Sequence, residues 1–346
     1  MDENQIVQLL SARFGARSPS LLKGIGDDAA VLHPRGAREY LVITTDMLLE
    51  DIDFTRSWMT PAQLGHKSLA VNLSDLAAMG ARPRFFTVSL ALPRDVGIDW
   101  IESFYRGMSA LANRQGATLI GGDLSRSPAG VQTTITAIGE TTDRRPVYRS
   151  GGQPGDFLYV TGVLGRAAAG LSLLWRGSLH GRNAAERKAL QSHRVPEPRC
   201  AVGTWLARRR FARCMIDLSD GLSVDLPRLC EASGTGAEIW SERLPVFPEA
   251  RRWQSDPLTL ALHGGEDFEL LFAVSPRKAA AFERAYPAQF PPISRIGRLR
   301  CEQGVFWSAG SAKPLQPLIP AGFDHFRSSP QEPEPRNRRN TRKKTS

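Results

Sequence analysis

Thr60-Pro-Ala-Gln-Leu-Gly-His-Lys-Ser-Leu-Ala-Val-Asn-Leu-Ser-Asp-Leu-Ala-Ala-Met-Gly80 reads as one helix enclosed on nearly every side. Thr60 is a good N-cap, Pro61 suits the first helical position and Gly80 ends the run. Leu64, Leu69, Ala70, Val71, Leu73, Leu76 and Ala77 leave little room for water. Ser68, Asn72 and Asp75, at i, i+4 and i+7, form a polar stripe on that apolar cylinder. Unpaired buried amides and carboxylates cost kilocalories, so the stripe faces a cavity, a metal or a paired strand, unless it simply faces solvent. Around the helix the pattern alternates. Tyr40–Thr45 is a strand ending at Asp46, and Phe85–Leu92 has the period of a half-buried strand. Asp99 and Glu102 read as a capping box for a second helix carried by Ile101, Phe104, Met108 and Leu111 and closed by Gly116. Ala117–Ile120 is a strand running into Gly121-Gly122-Asp123, and Val131–Ile138 is another. This half is α/β with a mixed sheet.

Ser150-Gly-Gly-Gln-Pro-Gly-Asp156 punctuates the chain between two strand-like runs and marks the boundary of a second unit. That unit shows strands at Phe157–Thr161, Met215–Ile216 and Phe268–Val274. Its helices read as Arg166–Trp175, Cys200–Arg209 and Leu222–Ala232. A chain of 346 residues suits two domains. They are expected at 1–148 and 149–327, followed by a disordered basic tail at 328–346 that has no apolar face. The tail from Arg327 carries half of the net charge of +10. Hydrophobic residues at 41% and the lack of a long apolar run exclude a membrane protein, and the polar N-terminus points to the cytoplasm. Cys200, Cys214, Cys230 and Cys301 fit neither a zinc clip nor a disulfide framework and read as buried thiols.

The placing of aspartates carries the chemistry. Acids follow apolar strands at Asp46, Asp123, Asp217 and Asp220, and Asp27-Asp28 lies in a glycine turn. Ligands of open α/β sheets collect at strand ends, and hard cations such as magnesium take carboxylate oxygens with phosphates and water. A single such acid is more often a cap or turn former; four recurrences favour metal. The chain lacks a P-loop, a protein-kinase catalytic loop, a complete G-x-G-x-x-G and a G-x-S-x-G elbow, and its six histidines form no close pair.

Gly24-Ile-Gly-Asp-Asp-Ala-Ala-Val31, Thr44-Thr-Asp46, Lys67–Ala81, Ile120-Gly-Gly-Asp123, Ile216-Asp-Leu-Ser-Asp-Gly-Leu222 and Gly264-Gly-Glu-Asp-Phe-Glu-Leu270 occur in order. Together they closely resemble the thiamine-monophosphate kinase family, within the aminoimidazole ribonucleotide synthetase superfamily. The resemblance implies two α/β domains, dimerisation through the N-terminal sheet, and ATP between the domains. It further implies several magnesium ions on Asp28, Thr44, Thr45, Asp46, Asp75, Asp123, Asp217 and Asp220. ATP would meet Tyr105, Gly122, Asp123, Arg149 and Ser219, and thiamine monophosphate would meet Asp53, Glu266 and Phe323.

The implied reaction is chemically coherent. A phosphate monoester has a second pKa of about 6, so the nucleophile is already ionised and needs no general base. What remains is bringing two anions together, by positioning and charge neutralisation, which metal held by aspartates provides. The cationic thiazolium suits Phe323, Glu266 and Asp53. No protein nucleophile is expected. Two alternatives stand: a related ATP-dependent synthetase acting on a purine precursor, and weak nucleic-acid contacts of the basic tail, which lacks interleaved aromatics.

Overall fold

The computed structural model describes residues 3–14, 18–253, 255–308 and 314–323. The first half runs α1 (Glu3–Phe14), β1 (Leu21–Lys23), β2 (Ala30–Leu32), β3 (Leu41–Leu49), α2 (Pro61–Ala78), β4 (Arg82–Leu92), α3 (Ile98–Gln115), β5 (Thr118–Arg126) and β6 (Gln132–Glu140). Its sheet has the order β1-β2-β3-β6-β4-β5, antiparallel except between β4 and β5. The second half runs β7 (Phe157–Thr161), α4 (Arg166–Trp175), α5 (Ala184–Arg194), α6 (Cys200–Arg209), β8 (Ala212–Asp217), α7 (Leu222–Ser233) and β9 (Gly236–Trp240). It continues through α8 (Pro257–His263), β10 (Leu270–Val274), α9 (Pro276–Ala285), β11 (Ile293–Arg300), β12 (Val305–Ser308) and β13 (Gln316–Pro317). That sheet has the order β13-β12-β9-β11-β7-β10-β8, parallel between β12 and β9. Both sheets are mixed, as the sequence indicates. No described helix is long and apolar enough to cross a membrane. The tail expected to be disordered, 328–346, lies outside the described residues.

Helix α2 joins the two halves. Thr60 Oγ1 accepts the Gln63 N–H at 3.2 Å, and the Gln63 side chain accepts the Thr60 N–H at 2.9 Å, closing a capping box. Fourteen of its eighteen residues are buried, so it is packed on all sides. It lies against α3, β3 and β6 of its own half and against α6 and β8 of the other. One hydrophobic core accordingly holds Leu73 and Leu76 of α2 together with Met108, Leu206, Met215 and Phe272. The α2–α6 approach is backbone-close: a Cβ on Gly203 would lie 2.0 Å from the Ala77 carbonyl oxygen. Gly203→Ala is therefore expected to destabilise the protein by about 1–3 kcal/mol, the usual cost of overpacking, read as a lower denaturant midpoint.

Four local expectations are corrected. Strand β3 does not end at Asp46 but continues to Leu49, because β6 keeps pairing with it as far as Gln132. Strand β5 likewise passes through Asp123 to Arg126 alongside β4. Helix α3 starts after Gly97 with no side-chain cap, so the Asp99–Glu102 box does not form. Strand β10 begins at Leu270 because Glu266 and Phe268 have φ of 65° and 49°, which no strand tolerates. Among the thiols, Cys200, Cys214 and Cys230 are buried as expected, but Cys301 is exposed.

Candidate active site

Three carboxylates from three parts of the chain converge. Asp28, in the turn before β2, Asp75, on α2, and Asp217, at the end of β8, each bring an oxygen within 4.8 Å of the others. Adjacent residues of α2 reach both halves. Ser74 Oγ donates to Asp217 Oδ2 at 2.6 Å, while Asp75 Oδ2 accepts the Thr44 hydroxyl at 2.5 Å. Of the polar stripe foreseen on α2, Asn72 and Asp75 face β3, while Ser68 Oγ donates to Leu64 O of its own helix at 2.8 Å. Strand β2 pairs only with Leu41–Ile43, which leaves the next part of β3 without a strand on that side, and Asn72 Oδ1 takes the Asp46 N–H at 3.0 Å. The Asn72 amide in turn donates to Ser68 O at 3.1 Å. Solvent does not satisfy the stripe; the fold does.

Like charges buried together raise one another's proton affinity. Burial, followed by the charge of Asp28, pushes Asp217 up to about 7. Burial also lifts Asp46 to about 6, against a hydrogen bond with Asp75 that favours its charge. Asp75 is raised well above the ordinary range by burial and then by Asp46. Arg149 Nη2 donates to Asp28 Oδ1 at 2.7 Å, but Asp28 Oδ2 is buried with no hydrogen bond among the described residues. Such a group of hard oxygens, one of them unpartnered, fits a hard divalent cation.

Two family models match in tandem: AIR synthase related protein, N-terminal domain, over residues 26–141, and the C-terminal domain of the same family over residues 153–306. The chain is 36% identical to the thiamine-monophosphate kinase of Bacillus subtilis (strain 168) over 329 residues, covering 94% of this chain and 100% of that one. It is 40% identical to the thiamine-monophosphate kinase of Escherichia coli (strain K12), covering 88% and 91% of the two chains. The chain belongs to the thiamine-monophosphate kinase family. A solved structure of AaThiL complexed with AMPPCP and TMP superposes with a TM-score of 0.82 at 31% identity, covering 94% of this chain and 97% of that one. This kinase family shares the two-domain α/β fold described above.

The remaining residues singled out by family likeness occupy varied settings. Thr45 is exposed, its hydroxyl donating to Ile135 O at 3.1 Å, one residue out of step with the inward Thr44 and Asp46. Gly122 and Asp123 lie in β5, a strand exposed along its whole length, and Asp123 is not one of the three converging acids. Asp220 pairs with Arg228, which also binds Asp225 at 2.9 Å, and Asp225 Oδ2 accepts the Asp220 N–H at 3.0 Å. Asp53 Oδ2 accepts the Leu49 N–H at 2.7 Å. Tyr105 is half-buried, edge-on to Phe104. The Ser219 carbonyl accepts the Glu266 N–H at 2.7 Å and the Asp220 carbonyl accepts the Phe323 N–H at 3.2 Å, so the backbone ties these segments together. Sequence reasoning missed Ser74, Lys67 and His193. Lys67 had a signal, a cation inside an apolar helix; His193 had none, because α5 is rich in charge and its partner lies far along the chain.

Proposed function

We propose that the chain transfers the γ-phosphoryl group of ATP directly to thiamine monophosphate, giving thiamine diphosphate and ADP, as part of thiamine diphosphate biosynthesis. The observation that carries this reading is the convergence of Asp28, Asp75 and Asp217 across two domains in a member of this kinase family. The solved relative holds AMPPCP, an ATP analogue, and TMP, thiamine monophosphate, together. Magnesium ions would be held by Asp28, Thr44, Thr45, Asp46, Asp75, Asp123, Asp217 and Asp220. When bound, they supply charge neutralisation and orientation of the phosphate oxygens.

The chain's own residues do the rest. Arg149 keeps a fixed positive charge beside Asp28 and, with Tyr105, Gly122, Asp123 and Ser219, contacts ATP. Asp53, Glu266 and Phe323 receive the cationic organic part of the acceptor. No protein base is required of a nucleophile already ionised at neutral pH. Cys200, Cys214 and Cys230 are buried, and burial pushes each up to about 12, so none is a thiolate competing for the phosphoryl group. Transfer is in-line, without a phosphorylated enzyme. The domains divide at 148/149, and the protein works in the cytoplasm.

The test is an ADP-release assay with ATP, magnesium and a panel of acceptors. Thiamine monophosphate should be the turned-over acceptor, with no label retained on protein incubated with γ-labelled ATP alone. Activity on a purine ribonucleotide precursor and none on thiamine monophosphate would overturn the substrate. A homodimer is also proposed. Leu119, Ile120 and Leu124 of β5, Met47 of β3 and Phe85 of β4 are exposed apolar side chains on the N-terminal sheet, which a second copy would cover. Light scattering should give twice the 38.0 kDa chain mass; a monomer at micromolar concentration would refute it.

A further inference from the structure

Lys67 has no exposed side-chain surface, although lysine is among the residues least often enclosed. Its Nζ lies 2.5 Å from Glu266 Oε1. His193 of α5, 3% exposed, brings Nδ1 to 2.8 Å from the other oxygen, Glu266 Oε2. Thus two helices hold the two oxygens of one carboxylate from behind. The side chain is not wholly enclosed, 28% of it being exposed. The Glu266 backbone is held as firmly: φ is 65°, and its N–H is fixed on Ser219 O at 2.7 Å. A non-glycine residue kept in the left-handed region is strained, and such strain persists where the surroundings enforce it, often at functional sites.

As a stabilising device this trio is a poor choice, because an enclosed ion pair rarely outdoes apolar residues of the same volume. As a positioning device it is apt. Burial pushes Glu266 up, yet Lys67 and then His193 outweigh it and hold the carboxyl down at about 2. Burial and the Lys67 charge push His193 below its ordinary value, so its ring is neutral, with Nδ1 set 2.8 Å from the carboxylate. An ionised carboxylate held in place suits a cationic ligand bearing N–H donors, as the organic half of the proposed acceptor does. Fixing that geometry in advance spares the ordering cost at binding.

We infer that Lys67 and His193 are positioning residues for the organic half of the acceptor, acting through Glu266. The inference rests on the proposed reading that Glu266 receives thiamine monophosphate. Neither side chain belongs to the acid cluster, and neither touches phosphate in this scheme, so ATP handling should not depend on them.

The experiment is steady-state kinetics with ATP, magnesium and thiamine monophosphate on the full chain. Lys67→Met is expected to raise the apparent KM for thiamine monophosphate about tenfold or more while leaving that for ATP within about twofold. His193→Leu should act the same way, and His193→Asn, which restores a donor near the Nδ1 position, should recover most of the loss. In a Glu266→Gln background, Lys67→Met and His193→Leu should add nothing further, since the group they act through is already neutral. An unchanged KM in folded Lys67→Met overturns the inference, as does an effect that persists undiminished in the Glu266→Gln background. If Lys67→Met does not fold, the His193 pair in both backgrounds decides alone. Wild-type protein without turnover of thiamine monophosphate, or Glu266→Gln with an unaltered KM for it, overturns the underlying reading instead.

Discussion

Asp75→Asn is expected to lower turnover about a hundred- to ten-thousand-fold while the protein stays folded, because one ligand charge is worth several kcal/mol to a transferring phosphoryl group and each 1.36 kcal/mol is tenfold. Asparagine keeps the size of the side chain and can still accept the Thr44 hydroxyl, which holds Asp75 at 2.5 Å. What it removes is charge at the centre of the acid group, where Asp75 meets Asp28 and Asp217 within 4.8 Å. Asp46→Asn should behave alike, since the Asp46 carboxyl shares a hydrogen bond with Asp75. The measurement is kcat at saturating ATP and acceptor, with a melting curve on the same sample. Retention of more than about a tenth of wild-type turnover in either variant would sink the metal-assisted mechanism.

Metal-free protein should become less stable as pH rises through neutrality, and Asp217→Asn should relieve this. The sign follows from the raised pKa: Asp217 moves from 3.8 unfolded to about 7 folded, so the folded state binds the proton more tightly. That contribution is whole below about pH 3.8, fades through the interval and is gone above about 7. At pH 8 without divalent cations, Asp217→Asn is therefore expected to melt a few degrees above wild type, each kcal/mol moving Tm by about 2–4 °C. Near pH 4 the two should coincide. Magnesium should reverse the order at pH 8, raising wild type by mass action and the variant less, and chelation should undo the gain. Equal melting at pH 8 in the absence of metal would mean that the acids do not strain one another. Function and stability oppose each other at these positions, since the repulsion that weakens the empty fold is what a cation relieves.

Much of this was legible in the chain itself. The Thr60 cap, Pro61 and the Gly80 stop marked α2 nearly to the residue, because those signals act within one turn of helix, and α4 and α6 have the bounds read from the sequence. The stripe of Ser68, Asn72 and Asp75 announced a buried polar contact, since an apolar helix cannot leave such groups unpaired. Aspartates recurring after strands marked the acid chemistry, and the ordered motifs marked the family.

Strand ends were beyond reach of the sequence, because β3 and β5 extend only as far as their neighbours β6 and β4 continue to pair with them. The choice among acids was also tertiary. Asp217 joins Asp28 and Asp75 because β8 packs against α2, whereas Asp123 stands on an exposed strand despite its equally suggestive Gly-Gly-Asp setting. Least legible of all was the hold on Glu266. Lys67, His193 and Glu266 lie on three elements, and nothing local to any one of them names the other two. Local propensity is written within a few residues, but which charges meet is decided by packing, where burial turns a distant coincidence in sequence into an ion pair at 2.5 Å.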